Sequence, residues 1–432
     1  MAVVRVAHLN AYDGNGGAGR ACLRLNEALR SEGIDSEVLV NYKFGKDPGI
    51  KSFSNSFFSK AFTAFCILTE RFITSFFSKK VKVPFSVPVW GKNAAANKEL
   101  SNADVIHLHW VNHAFLRPRD VAKLAQLNKP VVWTFHDSNA FTGGCHVRYS
   151  CEHFENECGM CPLLKRSSPG DLSHRIWKAK EDAYKKVLPS VIAPSTWMAA
   201  SVKRSKLLGN AGIQVIPNTL DTSTFKPLDK SEAKRRAGLS AGKFIMLSGF
   251  MPSRKDLHKG TPYLLESLQL LVDGGRIDPE NVELVVFGNR DEKNVPDFPV
   301  KATFLGTISD DEQLAMFYSA ADVFLTPSLE DNLPNTVMES LACGTPVVAF
   351  TTGGIPDMVR HKENGYLAEY RSSASFAQGI EWVLSFGDRE MLNRSARRTV
   401  EENFSERVIA EQHIALYKKL LNNTDVIQAD EE

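Results

Sequence analysis

Short apolar runs alternate with amphipathic stretches along most of this chain, and this alternation constrains its fold more than any other feature. The runs that indicate buried strands are VVRVAHLN (3–10), EVLVN (37–41), VIHLHW (105–110), PVVWTFHD (130–137), SVIAPS (190–195), FIMLSGF (244–250), VELVVFG (282–288), ADVFLTPS (321–328) and TPVVAF (345–350). Apolar strands separated by helices predict parallel sheets with helices on both faces. A polar, proline-containing stretch at 215–234 divides the strands into two series. The sequence therefore predicts an α/β fold with two doubly wound, Rossmann-like domains.

Size and charge narrow the class of protein. The chain has 432 residues, which suits two or three domains of about 150 residues. Its formal net charge is +2, so no strong field marks it as a partner of nucleic acid. The N-terminus, MAVVRVAHLNAY, lacks the pattern of a signal peptide, and no run of about 18 uncharged apolar residues follows. We expect a cytoplasmic protein with no nucleic-acid partner.

A glycine-rich turn follows the first predicted strand and opens a helix. Residues 14–19 read Gly-Asn-Gly-Gly-Ala-Gly, which fits the G-x-G-x-x-G pattern that lets a backbone approach a phosphate. A dinucleotide-binding enzyme would also carry an acid at the end of the second strand, where this chain has Asn41. The pattern favours a phosphate loop over a dinucleotide site, with a tight turn that binds nothing as the alternative.

Two polar loops stand where strands of the second series end, which is where open α/β sheets bind ligands. The first carries Arg254 and Lys259, whose charges can neutralise a diphosphate. The second carries Glu330 and Asp331 and leads into a helix that holds Glu339. A helix start flanked by acids can bind polyol hydroxyls and phosphate. A solvated basic turn and a surface glutamate are the plain alternatives.

Four cysteines cluster in a C-x5-C-x6-C-x2-C pattern formed by Cys145, Cys151, Cys158 and Cys161. In a chain of this size without a signal peptide, such a cluster favours metal over disulfides. We predict a structural zinc there, with unliganded thiols as the alternative.

The segment 53–80 departs from the alternating pattern because it is rich in phenylalanine. One helical face of this segment carries Phe58, Phe62, Phe65, Phe72 and Phe76. The pattern predicts either a helix packed within its own domain or a surface helix that meets lipid.

Several motifs together carry a resemblance to a known family. The acid-x7-Glu pattern that ends at Glu339 runs on into Ser-Leu-Ala-Cys-Gly-Thr-Pro-Val-Val. The other matching segments are Gly16-Gly17, 134–137 (TFHD), 215–218 (VIPN), Lys259-Gly260, 353–357 (GGIPD), 364–366 (NGY) and 404–407 (FSER). In this order they resemble the retaining GT-B glycosyltransferases of family four, in a subset with cysteines after the HD motif. The resemblance covers nearly the whole chain.

The resemblance implies a donor site in the second domain. The second acid of the motif binds the donor ribose, which assigns that role to Glu339. The first acid contacts the donor sugar and corresponds to Asp331, although Glu330 competes because the family usually has glutamate at this place. Asn332 and Leu333, which follow these acids, are placed at the donor as well.

The resemblance also implies roles for residues on other loops. Lys259 holds the diphosphate, and Arg254 does so less securely because the SRKDLH insertion blurs the spacing. Gly16 and Gly17 face the diphosphate or the acceptor. His136 sits beside the transferred sugar, against the alternative of a packed histidine at a strand end.

The implied reaction is retaining transfer from a nucleoside-diphosphate sugar to a saccharide or lipid-linked saccharide, for a cell-surface polysaccharide. The sequence contains no Asp-x-Asp, so we expect no catalytic cofactor. We place the acceptor-side domain at 1–225 and the donor-binding domain at 226–404, with a helix at 405–421 packing back on the first. Membrane contact would run through 53–80, at the inner face of the membrane. The alternatives are a nucleotide-sugar epimerase or hydrolase of this fold, and a dinucleotide-dependent oxidoreductase.

Overall fold

The computed structural model describes residues 3–14, 16–79, 85–249, 258–288 and 297–429. The chain divides into two compact units, of which the first comprises 1–219 together with 409–432 and the second comprises 220–408. Each unit contains one parallel sheet covered by helices. The two doubly wound α/β domains predicted from the sequence are therefore confirmed.

In the first unit, seven strands of the described residues form a parallel sheet in the order β3-β2-β1-β4-β5-β6-β7. These strands are β1 (Arg5–Tyr12), β2 (Asp35–Tyr42), β3 (Ile50–Ser52), β4 (Val105–Leu108), β5 (Val131–Thr134), β6 (Ser190–Ala193) and β7 (Ile213–Val215). The helices are α1 (Gly16–Ser31), α2 (Phe57–Phe77), α3 (Lys98–Asn102), α4 (Pro118–Ala122), α5 (Leu172–Tyr184) and α6 (Thr196–Arg204). Strand order reverses at β1 and β4, whose carboxyl ends therefore flank a crevice.

In the second unit, six strands within the described ranges form a parallel sheet in the order β10-β9-β8-β11-β12-β13. These strands are β8 (Phe244–Gly249), β9 (Val282–Phe287), β10 (Ala302–Gly306), β11 (Val323–Thr326), β12 (Val347–Phe350) and β13 (Gly365–Ala368). The helices are α7 (Lys230–Arg236), α8 (Thr261–Asp273), α9 (Asp311–Ala320), α10 (Asn335–Ala342), α11 (Ser373–Ser385) and α12 (Arg389–Asn403). Order reverses here at β8 and β11, so the loops after these two strands meet at one edge.

The last helix, α13 (Glu406–Ala429), packs its apolar face on the sheet of the first unit. Its residues Ile409 and Tyr417 share one hydrophobic cluster with Val105 of β4 and Val132 of β5. Residues from the C-terminal end of the chain thus complete the core of the N-terminal unit.

All nine apolar runs form strands, whereas β3, β7, β10 and β13 were not predicted. These four are the outermost strands of the two sheets. An edge strand has a neighbour on one side only and needs less apolar sequence. The five residues of β10, for instance, are all only partly buried. The central strands were predictable because they are buried on both faces.

Helix α2 is a surface helix, and its phenylalanines point outward. Phe58 and Phe72 are 83% and 73% exposed, and Phe62, Phe65 and Phe76 are exposed as well. The opposite face buries Thr63, Cys66 and Glu70. Of the two arrangements predicted for this segment, the structure therefore has the exposed one. None of the described helices combines the length and the apolar character needed to cross a membrane.

Candidate functional site

The loop 327–334, called the acidic loop below, follows β11, and its residue Asp331 forms an ion pair with Lys259. The Lys259 Nζ atom lies 2.8 Å from Oδ2 of Asp331, and both side chains are partly exposed. Glu330, the rival for the sugar-contacting role, is buried. The geometry therefore pairs Asp331 with the predicted diphosphate-binding lysine.

Two glycines hold neighbouring loops tightly against the acidic loop. Gly260 has φ of +70°, and a Cβ atom there would come within 1.8 Å of the Pro327 carbonyl oxygen. Gly353 has φ of +55°, and a Cβ atom would meet the Asp331 carbonyl oxygen at 1.8 Å. No other residue type fits such positions. Lys259 is thereby held next to the acids through backbone packing.

Glu339 lies on α10 with only 2% of its surface exposed. Its Oε2 atom accepts a hydrogen bond from the Tyr318 hydroxyl at 3.1 Å. A buried carboxylate must be satisfied by hydrogen bonds, and tyrosine supplies one of them. The sequence did not predict a role for Tyr318. Nothing in its own helix, α9, indicates that its hydroxyl group bonds to Glu339, which follows 21 positions later.

The remaining predicted donor residues differ in what the structure says of them. Asn332 is partly buried, and the Leu333 side chain belongs to the hydrophobic core of the second unit, which anchors the loop. Arg254 lies outside the described residues. Its predicted role stays a prediction.

In the first unit, the carboxyl ends of β1, β4 and β5 bring aromatic and titratable side chains together. The predicted His136 stacks on His109, and His109 Nδ1 lies 3.1 Å from His136 Nε2. Burial lowers the pKa of His136 to about 4, although Asp137 pulls in the opposite direction. His136 is therefore neutral at neutral pH.

Asp137 has a different environment from its neighbour in the HD pair. Its Oδ2 atom accepts from Trp110 Nε1 at 2.8 Å and lies 2.6 Å from His146 Nδ1. Burial alone would raise the pKa of Asp137, but His146 and the hydrogen bonds outweigh burial and hold it below its usual range. Asp137 thus ties the cysteine-containing segment to the end of β5.

Gly14 and Gly16 lie where β1 leads into α1, an arrangement that suits both the predicted phosphate loop and its alternative, a tight turn. Gly14 and Gly16 have φ of +70° and +81°, and Gly16 begins α1. A Cβ atom on Gly19 would lie 3.1 Å from the Gly14 nitrogen, so the turn and helix approach closely. The end of β2 carries Asn41, whose side chain donates to the His113 carbonyl. The Asn41 side chain therefore bonds to the protein backbone at the position where a dinucleotide-binding enzyme would have its acid.

A set of buried histidines, His8, His107 and His109, was not predicted as functional. Their ring nitrogens form the one group of metal-type ligands found within 4.8 Å of one another among the described residues. His8 pairs in register with His107 across β1 and β4. The sequence does contain a signal for this group. Polar side chains at alternate positions of otherwise apolar strands point to one face of the sheet, so these histidines could be expected on the same face.

The four cysteines are free thiols in one segment of the first unit. Burial raises the pKa of Cys145 and of Cys158 to about 12, and Gly143 N–H donates to Cys158 Sγ at 3.1 Å. Their sulfurs do not form a group of three within 4.8 Å in the described part of the chain. The zinc site stays a prediction.

Two family models match consecutive parts of the chain. The family described as Glycosyltransferase Family 4 matches residues 15–224. The family described as Glycosyl transferases group 1 matches residues 243–385, which include Lys259, the acidic loop and Glu339.

Individual relatives differ in how much of the chain they match. The uncharacterized glycosyltransferase MJ1607 of Methanocaldococcus jannaschii is 30% identical over 173 residues, which are 38% of this chain and 43% of the relative. The putative colanic acid biosynthesis glycosyl transferase WcaC of Escherichia coli K12 is 22% identical over 420 residues, 92% of this chain and 98% of the relative. The chain spans less than half the length of the first curated relatives it matches.

Among solved structures, Anabaena Alr3699/HepE in complex with UDP-glucose has a TM-score of 0.63 and 17% identity, covering 96% of this chain and 100% of that one. At this identity the likeness concerns the fold. It confirms the GT-B class that the sequence resemblance implied.

Proposed function

Because this chain belongs to the family 4 and group 1 glycosyltransferases, we propose that it transfers a sugar from a nucleoside-diphosphate sugar to a hydroxyl group of a saccharide. The observation that carries the proposal is the Lys259–Asp331 ion pair at the switch point of the second sheet, with the buried Glu339 on α10, the helix that follows the acidic loop. These three groups offer one cation for phosphate and two carboxylates for sugar hydroxyls. The HepE complex with UDP-glucose supports a nucleotide-sugar donor for this fold.

Each charged group has a part in binding the donor. The Lys259 ammonium stabilises negative charge on the diphosphate as it leaves. The Asp331 carboxylate, 2.8 Å from that ammonium, accepts hydrogen bonds from the transferred sugar. The Glu339 carboxylate keeps one oxygen on Tyr318 and accepts ribose hydroxyls. Both sugars of the donor are thus held by acceptors, because their hydroxyls are donors.

The reaction proceeds with retention of configuration by attack on the same face from which the diphosphate leaves. The acceptor oxygen forms a bond to the anomeric carbon while the bond from that carbon to the phosphate oxygen breaks. The acceptor proton passes to the departing phosphate oxygen. The protein contributes charge and positioning, so no side-chain nucleophile takes part.

We further propose that the acceptor is lipid-linked and that α2 rests on an anionic membrane surface. The one acid of this helix, Glu70, turns inward, where its oxygens accept from the backbone N–H groups of Val89, Trp90 and Ala114. The outward surface therefore carries phenylalanines together with basic residues such as Lys60 and Arg71. An apolar face beside cations matches anionic lipid. The name of WcaC, which refers to colanic acid, supports a role in surface polysaccharide synthesis.

A donor screen tests the transferase proposal. Purified protein is incubated with single nucleoside-diphosphate sugars and a membrane glycolipid extract, and release of nucleoside diphosphate is measured. Glu339→Gln keeps an acceptor for Tyr318 but removes the charge, so we expect a fall in turnover of about 100-fold with the fold intact. Glu381→Gln, a partly exposed acid paired with Arg276, is the matched control. Equal turnover in Glu339→Gln and wild type would refute the site; release without any acceptor would favour a hydrolase.

Vesicle flotation tests the membrane proposal separately. We expect the protein to float with vesicles of phosphatidylglycerol and to stay behind with phosphatidylcholine. The double variant Phe58→Ser, Phe72→Ser should lose flotation, whereas Leu188→Ser, which changes an exposed leucine away from α2, should keep it. Flotation that is equal in the double variant and wild type would rule out α2 as the contact.

A further inference from the structure

A continuous row of hydrogen-bonded side chains runs through the core of the first unit and ends at His136. Ser36 Oγ donates to Asn26 Oδ1 at 2.8 Å, and His8 Nε2 lies 3.1 Å from the same Ser36 oxygen. His8 Nδ1 lies 2.9 Å from His109 Nε2, and His109 Nδ1 lies 3.1 Å from His136 Nε2. These five residues are called the histidine row below.

The row is assembled from four strands by strand periodicity, and α1 adds its last member. Side chains at alternate positions of neighbouring parallel strands point to the same face. His8 on β1, His109 after β4 and His136 after β5 therefore line up across the sheet, and Ser36 on β2 extends the line. Asn26 reaches the end of the row from α1.

The position of each proton along the row follows from the bond at the Asn26 end. The Asn26 Oδ1 atom accepts the single Ser36 hydroxyl proton, so the Ser36 oxygen must accept from His8 Nε2–H. His8 Nδ1 then has no proton and accepts from His109 Nε2–H. By the same step His109 Nδ1 accepts from His136 Nε2–H.

The rings remain neutral, which keeps this order in place. Burial lowers the pKa of His8 to about 3 and of His136 to about 4, and it lowers the pKa of His109 well below its usual value. A second proton on His109 would set two N–H groups against each other, and one on His8 would do the same at His109 Nε2. One proton per ring and one direction along the row satisfy every bond.

We infer that Asn26, Ser36, His8 and His109 are positioning residues that fix His136 as the neutral tautomer with its proton on Nε2 and Nδ1 as acceptor. The inference rests on the proposed function for its consequence: His136 enters the site as a neutral ring of fixed tautomer, whose nitrogen outside the row can accept a hydrogen bond but cannot donate one. The opposite direction of the row would place the proton on that nitrogen and make it a donor instead. The row thus selects what His136 can recognise.

A metal bound by His8, His107 and His109 is the competing arrangement, because their nitrogens lie within 4.8 Å. Each of these nitrogens already has a hydrogen-bond partner, however. His107 bonds to the Tyr417 hydroxyl and to Thr134 Oγ1, both at 2.7 Å. A metal would have to displace these partners, so the structure favours the hydrogen-bonded row.

Nitrogen NMR of the full chain with 15N-labelled histidine reads the tautomers directly. We expect neutral Nε2–H signals for His8, His109 and His136 at pH 7. Ser36→Ala removes the acceptor for His8 and should produce Nδ1–H signal at His136, whereas Ser36→Thr keeps the hydroxyl and should restore the wild-type pattern. Thr134→Val breaks a bond of His107, which is outside the row, and should leave the His136 tautomer unchanged.

Kinetics give the second readout. In Ser36→Ala we expect about a fivefold fall in kcat with KM unchanged, as for one lost hydrogen bond. An Nδ1–H or charged His136 in the wild type, an unchanged tautomer in Ser36→Ala, or a bound metal that broadens these signals would overturn the row. If the tautomers behave as expected while no variant or wild type transfers sugar, the row stands and the proposed function fails.

Discussion

The acidic loop of the second unit and the histidine row of the first both lie at the carboxyl edge of a parallel sheet, but they treat charge in opposite ways. Lys259 and Asp331 remain partly exposed and keep opposite charges 2.8 Å apart. His8 and His109 are buried, and burial keeps them neutral. A diphosphate calls for formal charge, while a hydroxyl group needs only a correctly placed lone pair. The charged edge of the second unit therefore suits a phosphate group, and the neutral edge of the first unit suits an uncharged polar group.

The largest effect is expected where the charge itself does the chemistry. Lys259→Ala should lower kcat/KM about 100- to 1,000-fold, because one preorganised donor to the leaving group is lost. Lys259→Arg keeps the charge and should recover part of the rate. Nucleoside-diphosphate release measures both. The control is Arg276→Ala, which removes a surface cation of the same unit; an equal loss in that control would mean that general charge, rather than this position, matters.

A smaller effect separates the two acids of the loop. Asp331→Asn should lower turnover about tenfold, as for a lost hydrogen bond to a charged group, because Asp331 is the acid that faces Lys259. Glu330→Gln should change turnover less, since the Glu330 side chain is buried whereas Asp331 is partly exposed. The two variants are compared at saturating donor. A larger loss of turnover in Glu330→Gln than in Asp331→Asn would reverse the assignment and make Glu330 the acid that contacts the donor sugar.

These two edges were not equally predictable from the sequence. Lys259, Asp331 and Glu339 stand on short segments whose neighbours carry the family resemblance, so a local motif is enough to nominate them. Strand periodicity likewise gives the two sheets, except for edge strands such as β10. The histidine row depends on the register between strands that are about 100 residues apart in sequence, as for His8 and His109. The last member of the row, Asn26, lies on α1, and nothing in the sequence of that helix indicates that Asn26 is buried and bonded to Ser36.

Acid should affect the first unit before the second. His8, His136 and His413 have pKa values lowered by burial to about 3, 4 and 4, from an ordinary value of 6.5. The unfolded chain therefore binds more protons than the folded one between about pH 6.5 and 4. Stability from these groups is present above pH 6.5 and is lost as pH falls toward 4.

Thermal unfolding followed by tryptophan fluorescence measures this loss, because five of the six tryptophans lie in the first unit. We expect its Tm to fall by several degrees between pH 7 and pH 5. His413→Gln removes one of these groups and should flatten the dependence. A Tm that is the same at both pH values would show that the rings take up protons without unfolding, and the contrast between the two edges would disappear.

The smallest effect concerns the cysteines of the first unit. Like the histidines, their buried thiols are neutral groups, in contrast to the charged groups of the second unit. Burial raises the pKa of Cys145 and Cys158 to about 12, and a bound cation would reverse this by stabilising the thiolates. We expect about one zinc per chain in metal analysis of protein purified under reducing conditions, and a loss of a few degrees in Tm on Cys158→Ser. Cys343→Ser, a buried cysteine of the second unit, is the matched control and should leave the metal content unchanged. Folded protein without zinc, whose four thiols stay unreactive toward a disulfide reagent at pH 8, would mean that burial alone keeps them neutral, as it does the histidines.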